Sequence, residues 1–349
     1  MLPPWPEGTR WLAAHLFFNL HTGIYTGECD EVVLELAEPF VRRCQREGWI
    51  DGWFFIRYSE YGPHVRLRLH GRAEVLDEVV WPALREHVRA RHPDVAFERP
   101  DVPAMPVYPP PPPASPPEPP PEQEEAPFAV THAALIDYEP ETERYGGPEG
   151  VRLAERMFEV SSEACCSLLQ KTSRTERSSR LGKGLLTMVE LFHVFSNGDR
   201  AAAARWANQY NIGYLRGVAR DEEARGAWLG AFDSGYGSQA DTLGEYVEEV
   251  WSRMDEGESL SDALDLYRDG LLEVRGHFRE LFDAGKLIGP MGTYTAWETA
   301  VGGICSSYLH MTNNRLGITI QEESYLAYLI MRTLQSPAES AAAAGGEGA

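Results

Sequence analysis

The amino-acid sequence predicts an α+β protein, in which a ferredoxin-like β-α-β-β-α-β unit, the split βαβ arrangement, precedes a mostly helical half. Two observations predict this fold class. Short apolar or alternating segments, which are typical of strands, are confined to residues 1–148, whereas residues 149–336 show mainly the spacing of amphipathic helices. The chain has 349 residues, of which 43% are hydrophobic, so it can bury a substantial core.

Four strands are predicted in the N-terminal half. Residues 11–20 (WLAAHLFFNL) form a short apolar run rich in aromatic side chains, and residues 128–138 form a similar run. Between them, 52–59 and 65–71 are predicted to form a hairpin. The second of these two strands (VRLRLHG) alternates strictly, so its apolar and polar side chains should lie on opposite faces.

Helices are predicted where apolar residues recur at intervals of three and four. The first begins at the N-cap residue Asp30 and ends at Gly48, with Pro39 inside it, and the second covers 74–91. The C-terminal half contains further helices, predicted at 149–171, 180–196, 200–219, 240–255, 261–284, 295–312 and 320–335. We expect the two halves to form one integrated domain, because these helices can cover the open face of the sheet.

A proline-rich insertion separates the second helix from the fourth strand. Residues 103–127 hold 13 of the 25 prolines and end in an acidic run. Because proline lacks a backbone N–H, we expect polyproline II or disordered chain here. Residues 337–349 lack a core-forming pattern, and we expect a disordered tail.

The charge balance excludes several classes of partner. Asp and Glu outnumber Lys and Arg by 53 to 32, which gives a net charge of −21. Such a surface is unsuited to nucleic acid or to an anionic membrane, so we expect neither as a partner. The N-terminus lacks the basic and apolar regions of a signal peptide, and we expect a cytoplasmic protein.

The predicted hairpin carries the first cluster of chemically interesting side chains. By alternation, one of its faces is expected to hold three arginines together with His64 or His70. Guanidinium groups bind carboxylates and peptide carbonyls, although the same pattern is also typical of a solvated sheet face. The candidate residues in and beside this hairpin are Arg57, Tyr58, Ser59, His64, Arg66 and Arg68.

Two further segments are candidates for a site. The run Arg144-Tyr145-Gly146-Gly147-Pro148 is a turn before a helix. Its glycines would allow a backbone to approach a ligand closely or to adopt a positive φ, although the run is equally typical of a plain connector between a strand and a helix. The predicted helix before Gly317 places Ser307, His310 and Asn314 on one face, although a histidine near a helix end is also typical of a cap or of a partner of the helix dipole. Its candidate residues are Ser307, Tyr308, His310, Asn313, Asn314 and Arg315.

The chain lacks the common cofactor and metal motifs. It contains no GxGxxG, P-loop, HExxH, GxSxG or EF-hand pattern, and its five cysteines include no CxxC pair. We therefore expect any catalysis by this protein either to need no metal and no cofactor or to use a motif outside this list, and we favour the first.

The same segments resemble a known family. WFFIRYSEYGPHVRLRLHG, YEPETERYGGPEG and LHMTNNRLGI occur in the order seen in the C-terminal domain of lanthipeptide dehydratases, also called the thiopeptide-type bacteriocin biosynthesis domain. The resemblance covers roughly residues 10–335. The long N-terminal domain that glutamylates Ser and Thr in the large dehydratases is not recognised in this sequence, so the chain resembles the free-standing members.

The resemblance implies one of three functions. The first is a thiopeptide pyridine synthase, which joins two dehydroalanines of a precursor peptide by a formal aza-[4+2] cycloaddition and closes a macrocycle, with loss of water and leader peptide. The second is the elimination subunit of a split dehydratase, which removes glutamate from glutamylated Ser or Thr. The third is a relative that binds the precursor peptide without catalysis. We favour the first, because free-standing members resemble pyridine synthases, although Arg57, Arg66, Arg68 and His310 also fit the eliminating set of the family.

The resemblance also implies roles for the candidate residues. The expected catalytic residues are His310, Tyr58, Tyr308 and Ser307. The expected substrate-binding residues are Arg57, Ser59, His64, Arg66, Arg68, Arg144, Tyr145, Asn313, Asn314 and Arg315. The expected partner is a precursor peptide, made of a leader and a core that contains dehydroalanines and azoles. The helical insert around residues 196–240, rich in Trp, Tyr and Asn, is interpreted either as a pocket for that core or as an ordinary amphipathic helix pair.

Overall fold

A computed structural model describes residues 2–3, 5–19, 23–100, 128–172, 176–219 and 221–335. The chain divides into two compact units. The sheet unit comprises Pro3–Pro140 and Leu169–Thr175, and the helical unit comprises Met1–Leu2, Glu141–Leu168 and Glu176–Ala349. The predicted proline-rich insertion at 103–127 and the predicted tail at 337–349 lie outside the described residues.

The sheet unit has the predicted ferredoxin-like topology. Its strands are β1 (Thr9–Phe18), β2 (Gly52–Tyr58), β3 (His64–Arg72) and β4 (Val130–Leu135). They form one antiparallel sheet in the order β2-β3-β1-β4. The two central strands, β3 and β1, pair with each other, and β2 and β4 lie at the edges. This is the order that a β-α-β-β-α-β chain adopts, so the prediction of fold class is confirmed.

Two helices pack on one face of this sheet. Helix α1 covers residues 27–46 and α2 covers residues 73–91, and each contains a short π-helical stretch, at Val32–Ala37 and Leu76–Val80 respectively. Both helices contact β3. The core between them contains fully buried apolar side chains, among them Leu36, Phe40, Phe55, Leu67 and Leu84.

The helical unit is built from α3 (Pro148–Gln170), α4 (Arg177–Ser196), α5 (Arg200–Val218), α6 (Glu222–Gly237), α7 (Ala240–Asp255), α8 (Asp262–Asp283), α9 (Trp297–Leu316) and α10 (Ile320–Leu334). A small hairpin, β5 (Ile288–Gly289) and β6 (Gly292–Thr293), precedes α9. Helices α5 and α10 pack closely together. This half is mostly helical, as predicted.

The junction between α9 and α10 is defined by specific end signals. Gly317 ends α9 with a left-handed backbone (φ 71°), and its N–H donates to the carbonyl groups of Asn313 and Asn314. Two residues later, Thr319 and Glu322 form a capping box that begins α10. These contacts fix the relative position of two helices that carry candidate site residues.

Helix α6 was not delimited in the sequence, although it lies within the segment 196–240 predicted as a helical insert. Its four glycines (Gly226, Gly230, Gly235 and Gly237) weaken the helical signal. The helix begins at Asp221, whose carboxylate accepts a hydrogen bond from the Ala224 N–H. Phe232 is its buried residue.

Among the described residues, no helix is long and apolar enough to cross a membrane.

Candidate functional site

Arg57 lies on the opposite face of the sheet from the other two arginines of the hairpin. It pairs with Val65 across β2 and β3, whereas Arg66 and Arg68 alternate away from Val65. Its guanidinium donates to Asp30 Oδ1 at 2.6 Å and to the carbonyl oxygen of Ile24 at 3.2 Å. The side chains of Arg57 and Asp30 are 0% and 3% exposed. The prediction that all three arginines share one face is therefore wrong, because Arg57 forms a buried ion pair in the core.

The other face of β3 carries His64 and Arg66, as alternation predicts. The Arg66 guanidinium lies 3.4 Å from the centre of the Tyr58 ring, and its Nε donates to His64 Nε2 at 3.3 Å. His64 Nδ1 lies 2.8 Å from the carbonyl oxygen of Gly62, in the turn that begins at Ser59. Tyr58, Ser59, His64 and Arg66 are thus brought together at this end of the hairpin.

Arg68 and His15 form a buried basic cluster on the same face. His15 stacks on His64 with 4.9 Å between ring centres. Within the described part of the chain, neither ring nitrogen of His15 has a hydrogen-bond partner, and the same holds for Nε and Nη1 of Arg68. Burial, reinforced by the charge of Arg66, lowers the pKa of Arg68 to about 9. These donors are suited to an anionic or carbonyl oxygen.

The neighbouring histidines are held neutral. Burial lowers the pKa of His64 to about 3, and the charges of Arg66 and Arg68 act in the same direction. Burial and the charge of Arg68 lower the pKa of His15 still further below its usual range. At neutral pH each imidazole therefore offers one donor and one acceptor, and the positive charge of this cluster resides on the arginines.

In the helical unit, the loop before α3 brings Arg144 to helix α9. Arg144 Nε donates to Ser307 Oγ at 3.0 Å, and Arg144 Nη1 donates to Glu141 Oε2 at 3.2 Å. The loop turns at Gly146, whose φ is 91° and where an added Cβ would lie 2.7 Å from Ile304 Cδ1. Glycine is therefore required at this position, because the backbone has a positive φ and a side chain would clash with Ile304 of α9.

Two tyrosines stack beside this arginine. The rings of Tyr145 and Tyr308 are parallel within 10°, with centres 6.1 Å apart. Burial raises the pKa of Tyr145 to about 12 and raises that of Tyr308 well above its usual value. The Tyr308 hydroxyl is buried and has no hydrogen-bond partner in the described ranges. Both phenols therefore remain protonated and can serve as hydrogen-bond donors.

His310 is the partly exposed member of the motif on α9, with a side chain that is 20% exposed. Its Nδ1 lies 3.1 Å from both carboxylate oxygens of Glu323, on α10. Its ring lies 5.4 Å from the ring of Tyr214, which stacks on Tyr210 at 4.5 Å. Burial raises the pKa of Tyr214, whereas the nearby charge of Arg144 lowers it. An imidazole with one oriented nitrogen and adjacent phenols can transfer protons.

The remaining predicted residues of this motif are interior. Arg315 is fully buried, donates to Ser162 Oγ at 3.0 Å and to the Met311 carbonyl at 2.8 Å, and lies over the Phe158 ring. Asn313 and Asn314 are also buried, and their carbonyl groups cap the end of α9. The structure therefore places these three residues within the packing of the helical unit.

Sequence analysis missed four residues of these clusters: His15, Tyr210, Tyr214 and Glu323. His15 is a polar residue within an apolar strand, and this position could have marked it in the sequence as a candidate site residue. Tyr210 and Tyr214 are separated by one helical turn, whereas the position of Glu323 depends on how α10 packs.

Among the described residues, His, Cys, Asp and Glu side chains form no group of three that could hold a metal ion.

Comparison with known proteins identifies the family. Residues 11–334 match the family described as lantibiotic biosynthesis dehydratase, C-terminal. The chain belongs to this family. The resemblance noted in the sequence is thereby confirmed over nearly the whole chain.

Three solved structures share the fold of this lantibiotic dehydratase C-terminal family member. TsrL has a TM-score of 0.63 at 16% identity, with 93% of this chain and 94% of TsrL covered. TbtD, a pyridine synthase from thiomuracin biosynthesis, has a TM-score of 0.63 at 17% identity, with 93% of this chain and 97% of TbtD covered. MibB, a tRNA-dependent lantibiotic dehydratase from Microbispora sp. 107891, has a TM-score of 0.60 at 19% identity, with 98% of this chain but 29% of MibB covered. Among curated protein sequences, none matches this chain significantly.

Proposed function

We propose that this protein is a pyridine synthase that acts on a modified precursor peptide. The observation that carries the proposal is the group formed by His310, Tyr214, Arg144 and Ser307, where a partly exposed imidazole lies among phenol and guanidinium donors. The likeness to the pyridine synthase TbtD, which extends over nearly the full length of both chains, supports this choice of reaction.

The reaction requires positioning and proton transfer. One dehydroalanine and the amide before it, in its iminol form, act as a four-atom azadiene, and the second dehydroalanine supplies two atoms. Two bonds form, one between the two Cβ atoms and one between the iminol carbon and the Cα of the second dehydroalanine. Loss of water and of the leader as a neutral amide then gives the aromatic pyridine. The balance requires no oxidant.

The residues of the site fit these needs. His310 moves the amide proton from nitrogen to oxygen to form the iminol, because an imidazole can act as both base and acid near neutral pH. After the two ring bonds form, each former Cβ carbon loses one proton; one leaves with the hydroxyl as water, and the other leaves with the leader nitrogen as the neutral amide. Tyr214, whose phenol burial keeps protonated, and the Arg144–Ser307 pair donate hydrogen bonds to the iminol oxygen. Holding the two dehydroalanines at contact distance supplies the larger share of the acceleration.

Glutamate elimination is the second candidate, and Arg68 favours it. Its buried Nε and Nη1, which lack partners among the described residues, could bind the carboxylate of a departing glutamate. Arg57 weighs against it, because its guanidinium is committed to Asp30. Only two arginines of the predicted eliminating set, Arg66 and Arg68, therefore lie on the polar face of the sheet.

Parallel assays with two substrates test these alternatives. One peptide carries a leader and two dehydroalanines, and the other carries the same leader and a glutamylated serine. We expect the first to lose the mass of the leader amide plus water, and the second to remain unchanged. Loss of glutamate from the second peptide would replace the proposal with elimination. Binding of both peptides without any mass change would indicate a precursor-binding protein.

A further inference from the structure

We infer that Glu323 is a positioning residue that holds His310 in the tautomer with the proton on Nδ1, so that Nε2 offers its lone pair to the substrate. The inference deepens the proposed function and rests on it for the reaction that His310 performs. The geometry of the residues around Glu323 carries it.

Glu323 receives hydrogen bonds from two sides. Its two oxygens are each 3.1 Å from His310 Nδ1, and Tyr210 Oη donates to Oε2 at 2.6 Å. An N–H shared between two oxygens at equal distance fits a carboxylate acceptor, whereas a protonated carboxyl would direct one oxygen at the nitrogen. A neutral imidazole carries one N–H, so a proton on Nδ1 leaves the lone pair on Nε2.

The surroundings hold the carboxylate in place. Glu323 is 0% exposed, and the residues on both sides of it are anchored. Glu322 closes the capping box with Thr319, and the Ser324 carbonyl accepts from Asn211 Nδ2 at 2.8 Å. A fixed acceptor on α10 can therefore set the orientation of an imidazole on α9, as carboxylates orient histidines in other catalytic sites.

The charge of Glu323 is set by opposing effects. Burial is the largest and raises the pKa of Glu323, whereas the hydrogen bonds from His310 and Tyr210 favour the charged form. The hydrogen bonds from these two donors therefore offset part of the cost of burying the negative charge of Glu323. Replacing Glu323 by glutamine would keep the shape of the site but remove that charge.

The tautomer can be measured in the intact protein without substrate. We would label the histidines with ¹⁵N, assign the His310 ring signals by their loss in His310→Gln, and record long-range ¹H–¹⁵N spectra at a pH where the ring is neutral. The wild type is expected to show Nδ1 protonated and Nε2 unprotonated. A wild-type spectrum with the proton on Nε2 would overturn the inference, whether or not any variant folds.

Variants connect the tautomer to turnover. Glu323→Gln should populate the Nε2–H tautomer and lower kcat on the dehydroalanine peptide by at least about tenfold, with KM within about twofold of the wild type. Glu190→Gln controls for the amide substitution of a buried glutamate elsewhere in the helical unit, and it should leave the His310 signals and kcat unchanged. An unchanged tautomer and unchanged kcat in Glu323→Gln would refute the inference. If the wild type shows the expected tautomer but does not cyclise the peptide, the proposed function fails and the positioning role of Glu323 is retained.

Discussion

Replacing Arg57 with methionine tests whether this arginine belongs to the core or to the site. The substitution keeps much of the side-chain volume but removes the guanidinium that lies 2.6 Å from Asp30 Oδ1. Because the Asp30 side chain is only 3% exposed, water cannot replace the lost partner without opening the packing around α1.

The expected loss of stability is large. Two unit charges 2.6 Å apart attract by about 6 kcal/mol at an effective dielectric constant of about 20. The cost of removing both charges from water offsets much of this attraction, but breaking one side of such a pair leaves the other charge buried, which typically costs about 3–5 kcal/mol. We therefore expect Arg57→Met to lower the free energy of unfolding of the sheet unit by about 3–5 kcal/mol.

A double-mutant cycle separates the ion pair from the packing. Replacing both partners, as Arg57→Met with Asp30→Leu, removes the buried charge altogether, so the double variant should regain most of the lost stability. Urea unfolding, followed by the fluorescence of tryptophans such as the buried Trp53, measures the free energies. The folded double variant should bind precursor peptide with the affinity of the wild type.

Two results would refute this reasoning. If Arg57→Met alone lowers the free energy of unfolding by less than about 1 kcal/mol, the ion pair does not stabilise the core. If the double variant folds normally but loses peptide binding or glutamate elimination, Arg57 acts on the substrate, as the resemblance to the family implied.

Three further predictions concern single titratable or charged residues. His310→Ala should lower turnover of a dehydroalanine peptide by about 10²-fold with little change in affinity, measured by mass spectrometry and isothermal titration; unchanged turnover in the folded variant would remove His310 from the mechanism. Burial raises the pKa of Glu190 from 4.5 to about 9, so the folded state binds an extra proton in that window and wild-type stability should fall as pH rises through it. Glu190→Gln should abolish this slope and gain up to about 4 kcal/mol relative to the wild type between pH 5 and pH 8, measured by urea unfolding; parallel pH profiles would contradict the assignment. Arg68→Gln should leave cycloaddition within about threefold of the wild type but lower any glutamate elimination by at least about 10²-fold, and equal losses in the two assays would contradict this separation.

The local pattern of the sequence was sufficient to predict the fold class and the side chains that lie on the polar face of β3. Strict alternation in β3 places Arg66 and Arg68 on one side of the strand, and the structure agrees. The position of Arg57 depends instead on the register between β2 and β3, which is set by the turn that joins them. In that turn Tyr61 has a left-handed backbone (φ 64°), a conformation that composition does not predict for a tyrosine.

The candidate site in the helical unit was predicted only in part for a similar reason. The sequence shows that Ser307 and His310 lie on the same face of one helix, because they are three positions apart within α9. Glu323 and Tyr214 lie beside His310 only through the packing of α5 and α10 around α9, which no local pattern encodes. Ser307 and Arg144 were each predicted as candidates, but their hydrogen bond was not predicted, because the two residues are 163 positions apart in sequence.

The charge of the departing group separates the two reactions that this family fold could support here. Glutamate elimination releases a carboxylate, so its transition state gains negative charge and benefits from cations such as Arg68. The cycloaddition releases water and a neutral amide, so its demand is for donors and acceptors that exchange protons while the peptide is held in place. In the proposed site, His310 with Glu323 and the protonated phenol of Tyr214 meet the second demand, and the Arg144–Ser307 pair donates to the iminol oxygen instead of binding a departing carboxylate. A substitution that removes the charge of Arg68 should therefore impair glutamate elimination, whereas a substitution that removes proton transfer at His310 should impair the cycloaddition. Comparing the two variants distinguishes between the two reactions.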